Sequence, residues 1–78
     1  MIAVDVSGYD IEITRHAFVQ AMERGIHPDL IEDALRKGRI ETYGKHGVKF
    51  VCEGKRTIIC VGEIVGTRIK IFTVEEGN

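Results

Sequence analysis

The residues with types suited to chemistry in this 78-residue chain are three histidines, two cysteines and a scatter of lysines and arginines. His16, His27, His46, Cys52 and Cys60 lack the spacing that a metal site needs, so no metal is expected. The chain has no Walker loop, dinucleotide fingerprint, His-x-x-x-His or Cys-x-x-Cys motif, and no cofactor is expected. Gly44-Lys45-His46-Gly47 is too short for a phosphate-binding loop and reads more simply as a strand connection. What remains is proton transfer at a phosphodiester. That reaction needs a base for a ribose hydroxyl, an acid for the leaving oxygen and cations on the phosphate. His16, His46 and Lys49 are the candidate catalytic groups. Arg24, Lys45, Arg56, Arg68 and Lys70 are the candidate contacts to the nucleic acid.

Each of these residues also has a plainer reading. His16 follows a helix cap, where a histidine packs or bonds locally. Arg15 and Arg24 have Glu12 and Glu23 as neighbours to pair with. His46 sits between glycines in a loop and reads as solvated. The strand cations alternate with Glu53 and Glu63, and pairing of Glu63 with Arg68 across strands would occupy two charges of a wetted face.

The elements that must position these groups can be read from spacing. Residues 2–6 and 9–13 are strand-like around Ser7-Gly8, which makes a hairpin; a tail followed by one strand is the alternative. Thr14 is a natural N-cap. Ala17, Phe18, Ala21 and Met22 then share one helical face, and Gly25 falls where a left-handed C′ residue is wanted, with Ile26 closing the end. Pro28 suits the first position of a second helix with Leu30, Ile31, Ala34 and Leu35 as its apolar face. Glu32–Arg36 and Asp33–Lys37 are supporting pairs at i,i+4 spacing, and Gly38 ends the helix.

Four strand-like segments follow, at 39–43, 48–53, 57–64 and 68–75, joined by short glycine-bearing links that imply an antiparallel meander. A two-residue Gly54-Lys55 turn puts Val48, Phe50, Cys52, Ile59 and Val61 on the core face. Lys49, Val51, Glu53, Arg56, Ile58 and Cys60 then take the other face. The thiols fall on opposite faces and stay reduced. A three-residue link at Val65-Gly66-Thr67 brings Ile69 and Ile71 into the core, with Lys70, Phe72 and Val74 on the far side. That far side is partly apolar and invites a cover, whether the N-terminal hairpin, a second subunit or a ligand.

Composition bounds the function. One domain, spanning 1–78, is expected, and a chain this short buries roughly 60% of its unfolded surface. It is 44% apolar and 29% charged, with Gln20 and Asn78 as its only side-chain amides, a thermophile-like bias. The net charge of −1 argues against a strongly basic nucleic-acid module, though not against a local basic face. No apolar run reaches the ~20 residues of a membrane helix and no secretory signal is read, so a cytoplasmic protein without membrane contact is expected.

His16-Ala17 and Arg24-Gly25-Ile26, followed by the acidic helix from Pro28 to Lys37, resemble a small family grouped as domain of unknown function 4258. Its signature is similar to His-Ala-x-x-Arg-Met-x-x-Arg-Gly-Ile. Gln20 stands where that pattern has Arg, and Ala21 where it has Met. Two helices followed by an antiparallel sheet also look like the RelE- and BrnT-type toxins, which cleave RNA. The expected fold is therefore α+β, two short helices on one face of a twisted antiparallel sheet. The first functional reading is a RelE-like RNA-interacting protein; if it is an enzyme, it is a metal-independent ribonuclease. Its partners would be RNA or the ribosome and an antitoxin-like protein. The alternative is a non-enzymatic module that pairs with itself, as a homodimer, or with another protein through the sheet face. A binder of a metal or small ligand is the third reading.

Overall fold

The computed structural model describes residues 8–77. The order is β1 (Asp10–Ile13), α1 (Arg15–Glu23), α2 (Pro28–Lys37), β2 (Arg39–Tyr43), β3 (Gly47–Cys52), β4 (Thr57–Val65) and β5 (Arg68–Gly77). The strands form one sheet in the order β1-β5-β4-β3-β2. Strands β2 to β5 are the expected antiparallel meander, while β1 runs parallel to β5 and adds an edge. The sheet is therefore mixed, and the long connection that a parallel pair requires is made by both helices and strands β2 to β4. The N-terminal hairpin falls on residues 2–6, which lie outside the described residues; its other half, β1, pairs with β5.

Local signals set the helix ends. The Thr14 hydroxyl accepts from the Ala17 amide at 3.2 Å and donates to the Ile71 carbonyl at 3.0 Å, so one side chain caps α1 and fastens it to β5. Gly25 takes φ +70, and the amides of Gly25 and Ile26 return to the carbonyls of Met22 and Ala21. This is the Schellman arrangement, which glycine adopts without a Cβ penalty. His27 caps α2, its Nδ1 accepting from the Asp29 amide at 3.1 Å. The Glu32–Arg36 and Asp33–Lys37 pairs form at 3.3 and 3.7 Å.

Helix α1 packs on β5 and α2 on β3 and β4. Between helices and sheet lie Ala17, Ala21, Ile26, Ile31, Ala34, Val48, Phe50, Ile58, Cys60, Ile69, Ile71 and Val74, all buried. The alternation on β4 is opposite to expectation. Cys52 pairs with Ile58 and Phe50 with Cys60, so an odd number of residues, 53–57, lies between the last pair, where a two-residue Gly54-Lys55 turn would leave an even number. A one-residue slip exchanges the faces of a strand. Ile58 and Cys60 therefore point to the helices and Ile59 and Val61 away, and the two cysteines share a face, both free. The β4–β5 link, by contrast, is one residue shorter than expected, a two-residue Gly66-Thr67 turn with Gly66 at φ +63. The two slips cancel, so Ile69 and Ile71 reach the core as expected.

A bulge corrects the rest of β5. Val61 pairs with Thr73 but Gly62 with Ile71, which leaves Phe72 without a partner on β4. Alternation resumes one residue later, so Val74 is buried and not on the far side. Phe72 stays on the outer side beside Thr73, 40% exposed. Gly62 is held by close approach: a Cβ there would run into the Lys70 carbonyl.

Candidate functional site

Strand alternation and the measured register give the outer face of the sheet residue by residue. Across one row stand Glu12, Lys70, Glu63, Gly47 and Tyr43. The next holds Thr73, Val61, Lys49 and Glu41, and the one after it Glu75, Ile59, Val51 and Arg39. Val51 and Ile59 are directly opposed, Val61 follows on β4, and Phe72 lies beside it. These residues make a continuous apolar strip at the centre of a face that no described residue covers. Val51, Ile59 and Val61 are half-buried by their own neighbours, whereas Tyr43 and Val65 at the margins are 46% and 51% exposed.

Charges of both signs rim this strip, and most of the cations are engaged. Arg39 bonds Glu41 and Glu53, each at 3.0 Å. Arg68 reaches Glu12 at 3.2 Å rather than Glu63, whose partner across the strands is Lys70. The Lys49 ammonium lies 5.5 Å from the centroid of the Tyr43 ring, a cation–π distance. Asp10, Glu12, Glu41, Glu53, Glu63 and Glu75 outnumber Arg39, Lys49, Arg68 and Lys70, so the outer face carries a negative excess.

Two of the candidate nucleic-acid contacts sit on the other layer. Arg56 does not project from the outer face. Its guanidinium makes a two-pronged bond to Glu76 at 2.8 and 2.9 Å and donates to the Gly25 carbonyl at 2.9 Å, tying the end of β5 to the end of α1. That bond holds the Glu76 carboxyl below the usual glutamate range. Arg24 donates to the Val74 carbonyl at 3.0 Å and not to Glu23. One turn earlier, Gln20 keeps its Oε1 buried and unpartnered among the described residues.

The candidate catalytic residues do not converge. His16 lies exposed in the first turn of α1, directly after edge strand β1, while His46 is exposed in the β2–β3 turn at the opposite edge. At ~4.8 Å per strand they are separated by on the order of 15 Å, far beyond hydrogen-bond reach. His46 and Lys49 share a corner with Lys45 and Tyr43, and that corner is what remains of a nucleic-acid site. Sequence reasoning missed Tyr43 as the platform under Lys49; the cue was its place six residues before the β3 lysine, across a short turn.

Among the described residues, no group of three or more His, Cys, Asp or Glu is placed to hold a metal, and no helix is long and apolar enough to cross a membrane. Cys60, in the core, has its thiol pushed up to about 12 by burial and, second, by the nearby Cys52. It is a packed side chain and a poor nucleophile. On the helix side a cleft of about 300 Å³ is lined by Ile13, Phe18, Ile31 and Leu35 with Glu32 and Arg36 at its rim.

The sequence model of a domain of unknown function, DUF4258, matches residues 13–76. The chain belongs to that family. No curated protein and no solved structure matches it. The match to DUF4258 takes in both helices and the whole meander, so the shared unit includes the outer face as well as the core. In this member of DUF4258, Ala17, Gly25 and Ile26 of the signature are accounted for by packing and capping and Arg24 by its bond to β5. His16 is the signature residue that stands exposed with no side-chain hydrogen bond or ion pair to the described residues.

Proposed function

We propose that this DUF4258 protein is a non-enzymatic interaction module that docks protein through the outer face of its sheet. The observation that carries the reading is the apolar strip of Val51, Ile59, Val61 and Phe72, covered by none of the described residues and ringed by charges of both signs. An apolar centre with a polar rim is the anatomy of a protein interface. A phosphate backbone would instead meet a face with more carboxylates than cations, which weakens the RNA-binding reading for the sheet as a whole. A photo-cross-linking side chain at Phe72 in living cells gives a discrete protein adduct, whereas the same group at exposed Val19 on α1 does not. An equal yield from both positions, or none from Phe72, rejects the reading.

A second reading, RNA interaction of the RelE-like kind, is favoured at one corner only. Lys49 over the Tyr43 ring, with Lys45 and His46 in the adjoining turn, is the pattern of a stacking platform for a single strand. It predicts binding of a short single-stranded RNA that weakens with salt and is lost in Tyr43→Ala and Lys49→Ala. Ribonuclease activity, growth arrest on induction and an antitoxin-like partner belong to this reading. RNA binding that is absent at low salt removes it.

A further inference from the structure

We infer that the free edge of β2 pairs with itself: a second copy of this chain adds its own β2 antiparallel to the first, about a two-fold axis that passes through Ile40 normal to the sheet. This edge is a different surface from the outer face of the docking reading, and neither rests on the other.

Strand β2 ends the sheet order β1-β5-β4-β3-β2. Its ladder to β3 runs from Arg39–Val51 to Tyr43–Gly47 without a bulge, and it contains no proline. It therefore lacks two of the devices that keep a bare edge from pairing. Helix α1 packs on β5 and α2 on β3 and β4, so the helix layer is centred inboard of this edge. Arg39 and Glu41 stand on the outer side, and half-buried Ile40 on the helix side packs against the core. The Arg39 guanidinium is only partly engaged. Its Nε donates to Oε2 of Glu41 and its Nη1 to Oε1 of Glu53. Among the described residues, Nη2 of Arg39 and Oε1 of Glu41 make no hydrogen bond. The edge thus presents an unused donor and an unused acceptor of opposite charge two residues apart.

That spacing is its own complement. Residues opposed across an antiparallel pair share a face, with Cβ atoms ~4.5–5.5 Å apart. An axis at Ile40 sets Arg39 of each copy opposite Glu41 of the other on the outer side, and Ile40 opposite Ile40 on the helix side. The same residue pair meets twice, as an isologous contact requires. An axis at Glu41 would oppose two carboxylates, and one at Arg39 two guanidiniums. About Ile40 the four charges alternate in sign, and the bonds that Arg39 already makes stay in place. Lys49, the β3 partner of Glu41, offsets Glu53, so each copy brings two cations and two carboxylates. The opposite edge does not share this property, since β1 paired with itself about Ile11 sets Asp10 against Glu12. A contact along one short strand is small, so the dimer is a weak one that fills at high concentration.

Sedimentation equilibrium from micromolar to millimolar chain tests the inference. The expected mass rises with concentration toward twice that of the chain. Arg39→Glu alone, or Glu41→Arg alone, sets like charges opposite each other and weakens the dimer by on the order of tenfold. An equimolar mixture of the two variants pairs again, because one brings two carboxylates to the edge and the other two guanidiniums. Recovery in the mixture also shows that neither variant failed by unfolding. A strict monomer across the range, a dimer indifferent to both single changes, or a mixture that stays as weak as its components overturns the inference. The Phe72 cross-link reports on the other surface, so a strict monomer that still gives an adduct with a different protein overturns self-pairing and leaves the docking reading standing.

Discussion

The two faces of one sheet are made by the same strands and come to opposite ends. Toward the helices, Val48, Phe50, Ile58, Cys60, Ile69, Ile71 and Val74 meet two helices and lose all contact with water. On the outer side, Val51, Ile59 and Val61 alternate with them along the chain but stand among lysines, arginines and glutamates. Apolar character alone does not separate the two sets, since Ile58, Ile59, Cys60 and Val61 form an unbroken apolar run. The separation comes from what lies over each face: α1 and α2 supply an apolar stripe to one and nothing described lies over the other. A sheet face finished on one side and apolar at the centre of the other is a surface made for a second contact.

Substitutions at matched depth on the two faces should break this comparison if it is wrong. Phe50→Ala removes the largest core side chain and is expected to lower unfolding free energy by about 3–5 kcal/mol. Val61→Ser on the outer face should cost about 1 kcal/mol or less in dilute chain, the span of strand preference. Urea unfolding at low protein concentration reads both, and equal losses would mean that the outer face is as closed as the inner one. Gly62→Ala probes the bulge that turns Phe72 outward. Its new methyl would collide with the Lys70 carbonyl, and overpacking of that kind costs about 1–3 kcal/mol. A neutral result would show that β4 and β5 can shift past each other.

The smallest effect concerns the strut between the layers. Glu76 has its carboxyl lowered by the hydrogen bonds from Arg56, so the folded state binds that proton less readily than the unfolded one. The stability from this pair is complete above the ordinary glutamate value near ~4.3 and drains away as pH falls through the lowered one. Glu76→Gln should flatten that acid limb of a urea-midpoint profile and leave neutral pH nearly unchanged. High salt should shrink the difference, because both groups are solvent-accessible.

How much of this was legible in the chain divides along the same line. The helices were, because their signals are local: the Thr14 cap, the Gly25 C′ position, Pro28 at a helix start and the i,i+4 ion pairs all act within a few residues. The candidate site was legible only in part. Lys49 and Lys70 fall on the outer face as read. Arg56 left that face because its long side chain found a carboxylate and a helix-end carbonyl on the far side of the link, contacts that no spacing rule encodes. His16 and His46 were candidates by type alone, and the width of the sheet separates them.

What the amino-acid sequence determined by itself was the kind of fold and the positions of its breaks, since caps, glycines and apolar periods are short-range chemistry. What only the tertiary structure decided was which side of each strand faces in. Parity along a strand turns on one residue in a link, and the run from Ile58 to Val61 is apolar at both parities. Packing under α1 and α2 and the bulge at Phe72 therefore made a choice that the local pattern left even.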